Sequence, residues 1–189
     1  MQGNEKFEFE GLNLDFDMLD FWRFQYSNIY SLHGELAEFV VSKALGISEA
    51  QNSAYWTLWD ITYRSVRVEV KATAYYHLWN NTKVSKQRVF SIAKSNGAYD
   101  SQVAGNMDYC RQNDIYVFCL INGETKEESY PLNLDNWDFY IVPTKFIDKH
   151  CGENKTISVG RIISFGFEKK KYSELKAEID KIIDNNNLR

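Results

Sequence analysis

Trp59-Asp60-Ile61-Thr62-Tyr63-Arg64-Ser65-Val66-Arg67-Val68-Glu69-Val70-Lys71 reads as two short strands joined by a tight turn. Ile61 and Tyr63, then Val66, Val68 and Val70, put an apolar residue at every second position. Asp60, Thr62, Arg67, Glu69 and Lys71 fill the positions between. Such alternation is the pattern of a half-buried hairpin. A turn centred on Arg64-Ser65 sets Asp60 directly opposite Glu69, with Cβ atoms about 5 Å apart, and Lys71 lies two residues on along the same face. The pattern therefore predicts two carboxylates and an ammonium on one patch.

Two carboxylates held a few Å apart repel each other, and a cation between them removes the conflict. Mg²⁺ suits the position: it takes hard oxygen ligands, is held by one or two carboxylates and keeps waters that a substrate phosphate can replace. Such an ion polarises a phosphoryl oxygen and lowers the pKa of a bound water, while a nearby lysine positions that water or neutralises developing charge. The competing reading is a solvated polar face, on which cross-strand Glu and Lys form ordinary surface pairs. Glu-x-Lys recurs at Glu124-Lys126, Glu153-Lys155, Glu168-Lys170 and Glu174-Lys176, and only the copy at Glu69-Lys71 lies in an alternating apolar strand with an Asp opposite. Arg-Ser also lacks the Asn-Gly or Asp-Gly preference of two-residue hairpin turns. On this stretch alone both readings stay open.

The 189 residues suit a single domain spanning 1–189, and the 44% hydrophobic and 15% aromatic content is that of a folded globular chain. A formal net charge of −4 argues against coating nucleic acid by bulk electrostatics while leaving room for a local basic patch. Cys110, Cys119 and Cys151 form no Cys-x-x-Cys pair, which points to core thiols rather than a disulfide framework or a zinc site. No apolar run approaches the length of a membrane helix, and Met1-Gln2-Gly3-Asn4-Glu5 lacks the regions of a secretion signal, so a cytoplasmic protein is expected.

Along the chain, residues 1–30 read as an acidic and aromatic N-terminal arm, with a covering helix over Met18 to Tyr26. From Ser31 to Gly46, Leu36, Ala37, Phe39, Val40, Val41, Ala44 and Leu45 give a broad apolar helix face, with Gly46 as its stop. Glu35, Glu38 and Ser42 line a polar stripe beside that face. Glu35 suits the helix N-terminus, where a negative charge is favourable. Glu38, a turn further in, is placed to reach the hairpin patch.

After Lys71 the strand runs on toward Tyr75-Tyr76-His77-Leu78-Trp79, and His77 has no second histidine at metal-binding spacing. Asn80 to Arg88 is polar and basic; Lys83, Lys86 and Arg88 are candidate phosphate contacts, set against a plain solvated loop. Strands are predicted at Arg88 to Ala93, Asp114 to Ile121, Trp137 to Val142 and Thr156 to Val159, and a flexible loop at Asn96 to Gly105. The Asp114 to Ile121 run is the longest apolar one and suits a central strand buried on both faces. A short helix is expected over Thr144 to Lys149 and a packing helix within 171–185, where Tyr172, Leu175, Ile179, Ile182 and Ile183 recur at helical spacing. Glu168-Lys169-Lys170-Lys171 reads as a solvated charge run.

A helix with an inward-reaching Glu, a hairpin bearing Asp and Glu-x-Lys, further strands and a closing helix together resemble the PD-(D/E)XK nuclease superfamily, the restriction endonuclease-like fold. The resemblance covers mainly Gly34 to Thr73. Gly34-Glu35-Leu36-Ala37-Glu38 is similar to the first core helix of archaeal Holliday-junction resolvases, where a metal-binding Glu follows a Gly by four residues. Asp60, Glu69 and Lys71 match the motif's Asp, acidic ligand and lysine, and Trp59 stands where the motif name has Pro.

The resemblance implies an α/β fold with a mixed central sheet flanked by helices (an αβββαβ-type core), cleavage of DNA or sometimes RNA dependent on Mg²⁺ or Mn²⁺, and often a homodimer. It assigns Asp60, Glu69 and Glu38 to the metal, with Glu35 as a second candidate, and Lys71 to the attacking water. A catalytically inactive nucleic-acid-binding or protein-interaction domain of the same fold is the alternative.

Overall fold

The computed structural model describes residues 2–9, 11–25, 33–47, 58–75, 88–96, 108–123, 125, 127–185 and 188. Lys83, Lys86, His77, the polar stretch Ser48 to Ser53, which reads as a loop, and most of the loop expected at Asn96 to Gly105 lie outside the described residues. Packing divides the chain into two units, Met1–Leu32 and His33–Arg189.

In the first unit β1 (Lys6–Phe9) pairs antiparallel with β2 (Leu12–Asp17), followed by α1 (Met18–Gln25). The helix agrees with the sequence expectation, and its start has a local cause: the carboxylates of Asp17 and Asp20 each accept from the other's backbone N–H at 3.1 Å, a reciprocal cap. The hairpin was not expected from the sequence. Its strands leave Phe9 and Leu12 well exposed, so burial does not impose the pattern by which a strand is read.

The second unit is built on a four-stranded mixed sheet. β3 (Ile61–Tyr63) and β4 (Val66–Ala74) form the antiparallel hairpin, β6 (Ile115–Ile121) runs parallel to β4, and β7 (Trp137–Pro143) runs antiparallel to β6, giving the order β3-β4-β6-β7. Every residue of β6 is buried, as its apolar run requires of a strand with neighbours on both edges and cover on both faces.

One face packs on α2 (His33–Ala44) and α5 (Leu175–Asn185), joining Ala37, Val41, Ile179 and Ile183 to Val68, Val70, Val117 and Cys119. The other face carries Tyr116, Phe118 and Leu120. It is covered by a small sheet of β5 (Val89–Ser91) with β8 (Thr156–Ser158) and by α3 (Thr144–Cys151) and α4 (Val159–Ser164). The chain is thus mixed α/β with helices flanking a mixed-orientation sheet. No helix among the described residues is long and apolar enough to cross a membrane.

Helix α2 ends as its glycine predicts. Gly46 has φ +75°, its N–H donates to the Lys43 carbonyl and the Ile47 N–H donates to that of Ser42, which satisfies the last carbonyls of the helix. Phe39 departs from the expected apolar face: it is 55% exposed, with the Lys43 ammonium over its ring, while Ala37, Val40 and Val41 pack inward. Val159 opens α4 instead of closing β8, because the Ser158 hydroxyl accepts from the Arg161 N–H and caps the helix. The lysine run at 169–171 is not merely solvated. Lys171 donates to Asp138 of β7 at 2.9 Å and Lys169 lies 3.6 Å from the same carboxylate, which is buried and needs a cation. Cys119 and Cys151 are buried free thiols, whereas Cys110 is partly exposed.

Candidate active site

The register of the hairpin decides which side chains meet. Ile61 pairs with Val68, Thr62 with Arg67 and Tyr63 with Val66, so the turn falls on Arg64-Ser65. Both turn residues are left-handed, with φ of 51° and 66°, the backbone of a two-residue turn matched to strand twist. Neither is a residue that favours this region, and the cause of the turn lies outside it. The Arg64 guanidinium binds Asp180 and Asp184 of α5, each at 2.8 Å, and the Tyr63 hydroxyl donates to Asp180 at 3.1 Å. The other end of the hairpin is tied to β6: Asp114 accepts from the Arg67 backbone N–H, Nε and Nη2 at 2.7–2.9 Å.

The regular pairing stops at Ile61. Asp60, expected opposite Glu69, lies instead in a bend just before β3, where its N–H donates to the Val68 carbonyl at 3.2 Å and not to Glu69. Its Oδ2 accepts from the Val70 N–H at 2.7 Å. Backbone N–H groups lie in the plane of a sheet, so the Asp60 carboxylate sits at the edge of β4 between Glu69 and Lys71. Lys71 makes an ion pair with Glu69. Glu69 is mostly buried, its side chain 16% exposed, and pairs in register with Tyr116 on β6. Glu38 projects from α2, which packs on β4, and is half-buried.

Each of these groups lies within the electrostatic field of the others. Burial, reinforced by Asp60, Glu35 and Glu69, pushes the Glu38 carboxyl up to about 7, with Lys71 opposing. Burial also raises Glu69 to about 6, against the attraction of Lys71 and with repulsion from Asp60. Asp60 is raised by burial, opposed by Lys71 and the Val70 N–H. Burial alone would lower Lys71, but Glu69, Asp60 and Glu38 outweigh it and hold the ammonium charged.

With every group ionised, three carboxylates face one ammonium, a deficit that one divalent cation balances. The donor set is carboxylate oxygen, as Mg²⁺ and Mn²⁺ require. As the side chains stand, no group of three or more His, Cys, Asp and Glu among the described residues is arranged to hold an ion. The Lys71 ammonium occupies Glu69, so ligation by Glu69 requires that pair to open.

Of the sequence candidates, the structure brings Glu38, Asp60, Glu69 and Lys71 together. Glu35 is exposed on α2 and acts on the site through its repulsion of Glu38. Arg88 lies apart, at the start of β5, with its guanidinium 3.8 Å over the Tyr75 ring. Tyr116 was read only as part of an apolar run. It flanks Glu69, and its phenol is raised first by burial and then by that carboxylate, with the buried Arg111 opposing. Its sequence signal is a hydroxyl in an otherwise apolar strand, opposite Glu69 once β4 and β6 are paired. Comparison of the chain with protein-family models and with curated proteins finds no match.

Proposed function

We propose that the chain is a Mg²⁺-dependent nuclease, with Mn²⁺ able to substitute, which hydrolyses phosphodiester bonds of DNA on a restriction endonuclease-like fold of the PD-(D/E)XK type. The observation that carries this reading is the convergence of Glu38, Asp60 and Glu69 on Lys71 in a place where burial makes their joint ionisation unfavourable. The mixed sheet, with the hairpin at one edge and α2 against it, supports the fold assignment.

Asp60 and Glu69 would hold the ion, with Glu38 as a further carboxylate ligand or support. The ion supplies polarisation of the scissile phosphate and a bound water of lowered pKa. Asp60 is kept in place by the Val70 N–H and does not have to reorganise. Lys71, charged and beside all three carboxylates, donates to the attacking water or to the developing phosphorane charge once it leaves Glu69. Lys83, Lys86 and Arg88 are assigned to phosphate contact along the strand. A homodimer is compatible with this role.

The Lys71–Glu69 pair favours one second reading, a nucleic-acid-binding domain in which Lys71 permanently neutralises Glu69 and no turnover occurs. Nicking of supercoiled plasmid separates the two. The nuclease reading expects Mg²⁺-stimulated nicking, removed by EDTA and reduced at least about 100-fold by Asp60→Ala and by Lys71→Ala. Nicking that survives both substitutions contradicts it, and salt-sensitive binding without nicking supports the second reading.

A further inference from the structure

A cleft of about 740 Å³ opens on the sheet face that carries Glu69 and Lys71. Tyr75, Arg88, Asn122, Tyr140, Phe167 and Lys169 are among its walls. Its size is that of a site for a small organic ligand, and its lining mixes aromatic and aliphatic side chains with Arg88, Asn122, Asp138, Glu168 and Lys169.

Arg88 is the group in it that calls for a ligand. Its backbone carbonyl accepts from the Val159 N–H at 3.0 Å, and its guanidinium carbon lies over the Tyr75 ring, 3.8 Å from the centroid. Among the described residues it has no carboxylate partner. A stacked guanidinium keeps its in-plane N–H donors directed outward from the ring, a geometry suited to a phosphate. The two acids of the cleft have other partners: Glu168 is engaged by Lys170 at 3.3 Å, and Asp138 by Lys171 and by the Asn122 amide, each at 2.9 Å. That bond uses the Asn122 nitrogen as donor and leaves its oxygen as an acceptor.

We infer that this cleft seats one nucleotide of a nucleic-acid strand, with its phosphate on Arg88 and its base against the partly exposed Phe167. The Asn122 oxygen accepts from an exocyclic amine of the base. Aromatic faces take any base by stacking, and the arginine plane extends the platform. Tyr75 lies four residues beyond Lys71, about 13 Å along an extended strand at 3.3 Å per residue. A single strand reaches both the cleft and the carboxylate site. The inference rests on the nuclease reading for the identity of that strand, and its test uses binding alone.

The probe is a fluorescein-labelled single-stranded DNA octanucleotide, titrated by anisotropy into Lys71→Ala protein at fixed salt. Adding Arg88→Gln is expected to weaken binding about tenfold, the scale of one charge-assisted contact. Arg88→Lys recovers part of the loss, and Tyr75→Leu weakens binding where Tyr75→Phe does not. In competition against the unaltered Arg88 protein, a nucleoside monophosphate displaces the probe at a concentration at least about tenfold below inorganic phosphate. This arm remains decisive if Arg88→Gln fails to fold.

Unchanged affinity in folded Arg88→Gln overturns the inference, as does equal competition by phosphate, which marks an anion site only. Plasmid nicking by the wild-type chain separates the two proposals. Nicking with Arg88-independent binding defeats this inference alone, and Arg88-dependent binding without nicking defeats the nuclease reading alone.

Discussion

Two places among the described residues bury carboxylates and treat them differently. On β7, Asp138 has a side chain only 3% exposed, bound by Lys171 at 2.9 Å, approached by Lys169 at 3.6 Å and hydrogen-bonded by Asn122 at 2.9 Å. At the hairpin, Asp60 and Glu69, with Glu38 from α2, share Lys71, and all three are raised above their ordinary values. A buried charge that is fully paired serves the fold. Buried charges left short of a cation are held by the surrounding structure at a cost in stability, which is what a metal or substrate site requires.

Substitution at the two places should therefore change stability with opposite signs. The largest effect is expected at Asp138. Asp138→Ala removes the acceptor of Asn122 and of Lys171 and should lower the free energy of unfolding by about 2 to 3 kcal/mol in urea titrations. That is the low end for a broken buried pair, because the two lysines regain water.

Next comes Glu38→Gln, which should be stabilising at pH 8. The native carboxyl titrates at about 7, above the unfolded value of 4.5. Between these values the native state binds more protons than the unfolded chain. The stability tied to protonated Glu38 is complete below pH 4.5 and lost as pH rises through about 7. Glutamine keeps the shape without the charge. Its gain should be on the order of 1 kcal/mol at pH 8 after solvent screening, and absent at pH 4. A Glu38→Gln that is neutral or destabilising at pH 8 would remove the contrast.

The smallest effect concerns what holds the register. Ser65→Gly relieves a left-handed residue with φ 66° and should stabilise the chain by about 0.5 to 1 kcal/mol, read as a higher urea midpoint at unchanged m. Loss of stability there would mean that the Ser65 side chain, and not the Arg64 clamp, sustains the turn.

The hairpin shows how much was legible in the sequence. Alternation alone located the turn and the register of Ile61 to Tyr63 with Val66 to Val68, because a slip by one residue would have turned Val66, Val68 and Val70 outward. Asp60 was expected to pair with Glu69 but lies in a bend before β3, bonded to the Val68 carbonyl and the Val70 N–H. What the sequence hides is why Arg-Ser turns there: its anchors, Asp180 and Asp184, lie more than a hundred residues away on α5. The same long-range dependence explains the lysine run at 169–171, which reads as surface until Asp138 is placed beside it. The choice between Glu35 and Glu38 likewise needed the packing of α2 on β4, which leaves Glu35 exposed and brings Glu38 to Asp60. The central strand β6 and the helices α2 and α5 were legible because their burial is imposed along their whole length. The exposed β1–β2 hairpin carries no such imprint.

The most direct test of the cation deficit is Mn²⁺ binding at about pH 8, followed by the electron paramagnetic resonance signal of the free ion. The account predicts saturable binding that tightens from about pH 5.5 to pH 8 as Glu69 and Glu38 lose their protons. It predicts loss of that binding in Asp60→Asn/Glu69→Gln protein that still unfolds cooperatively. Mn²⁺ that stays free at millimolar concentration, or that binds the double variant as tightly as the wild type, would contradict it.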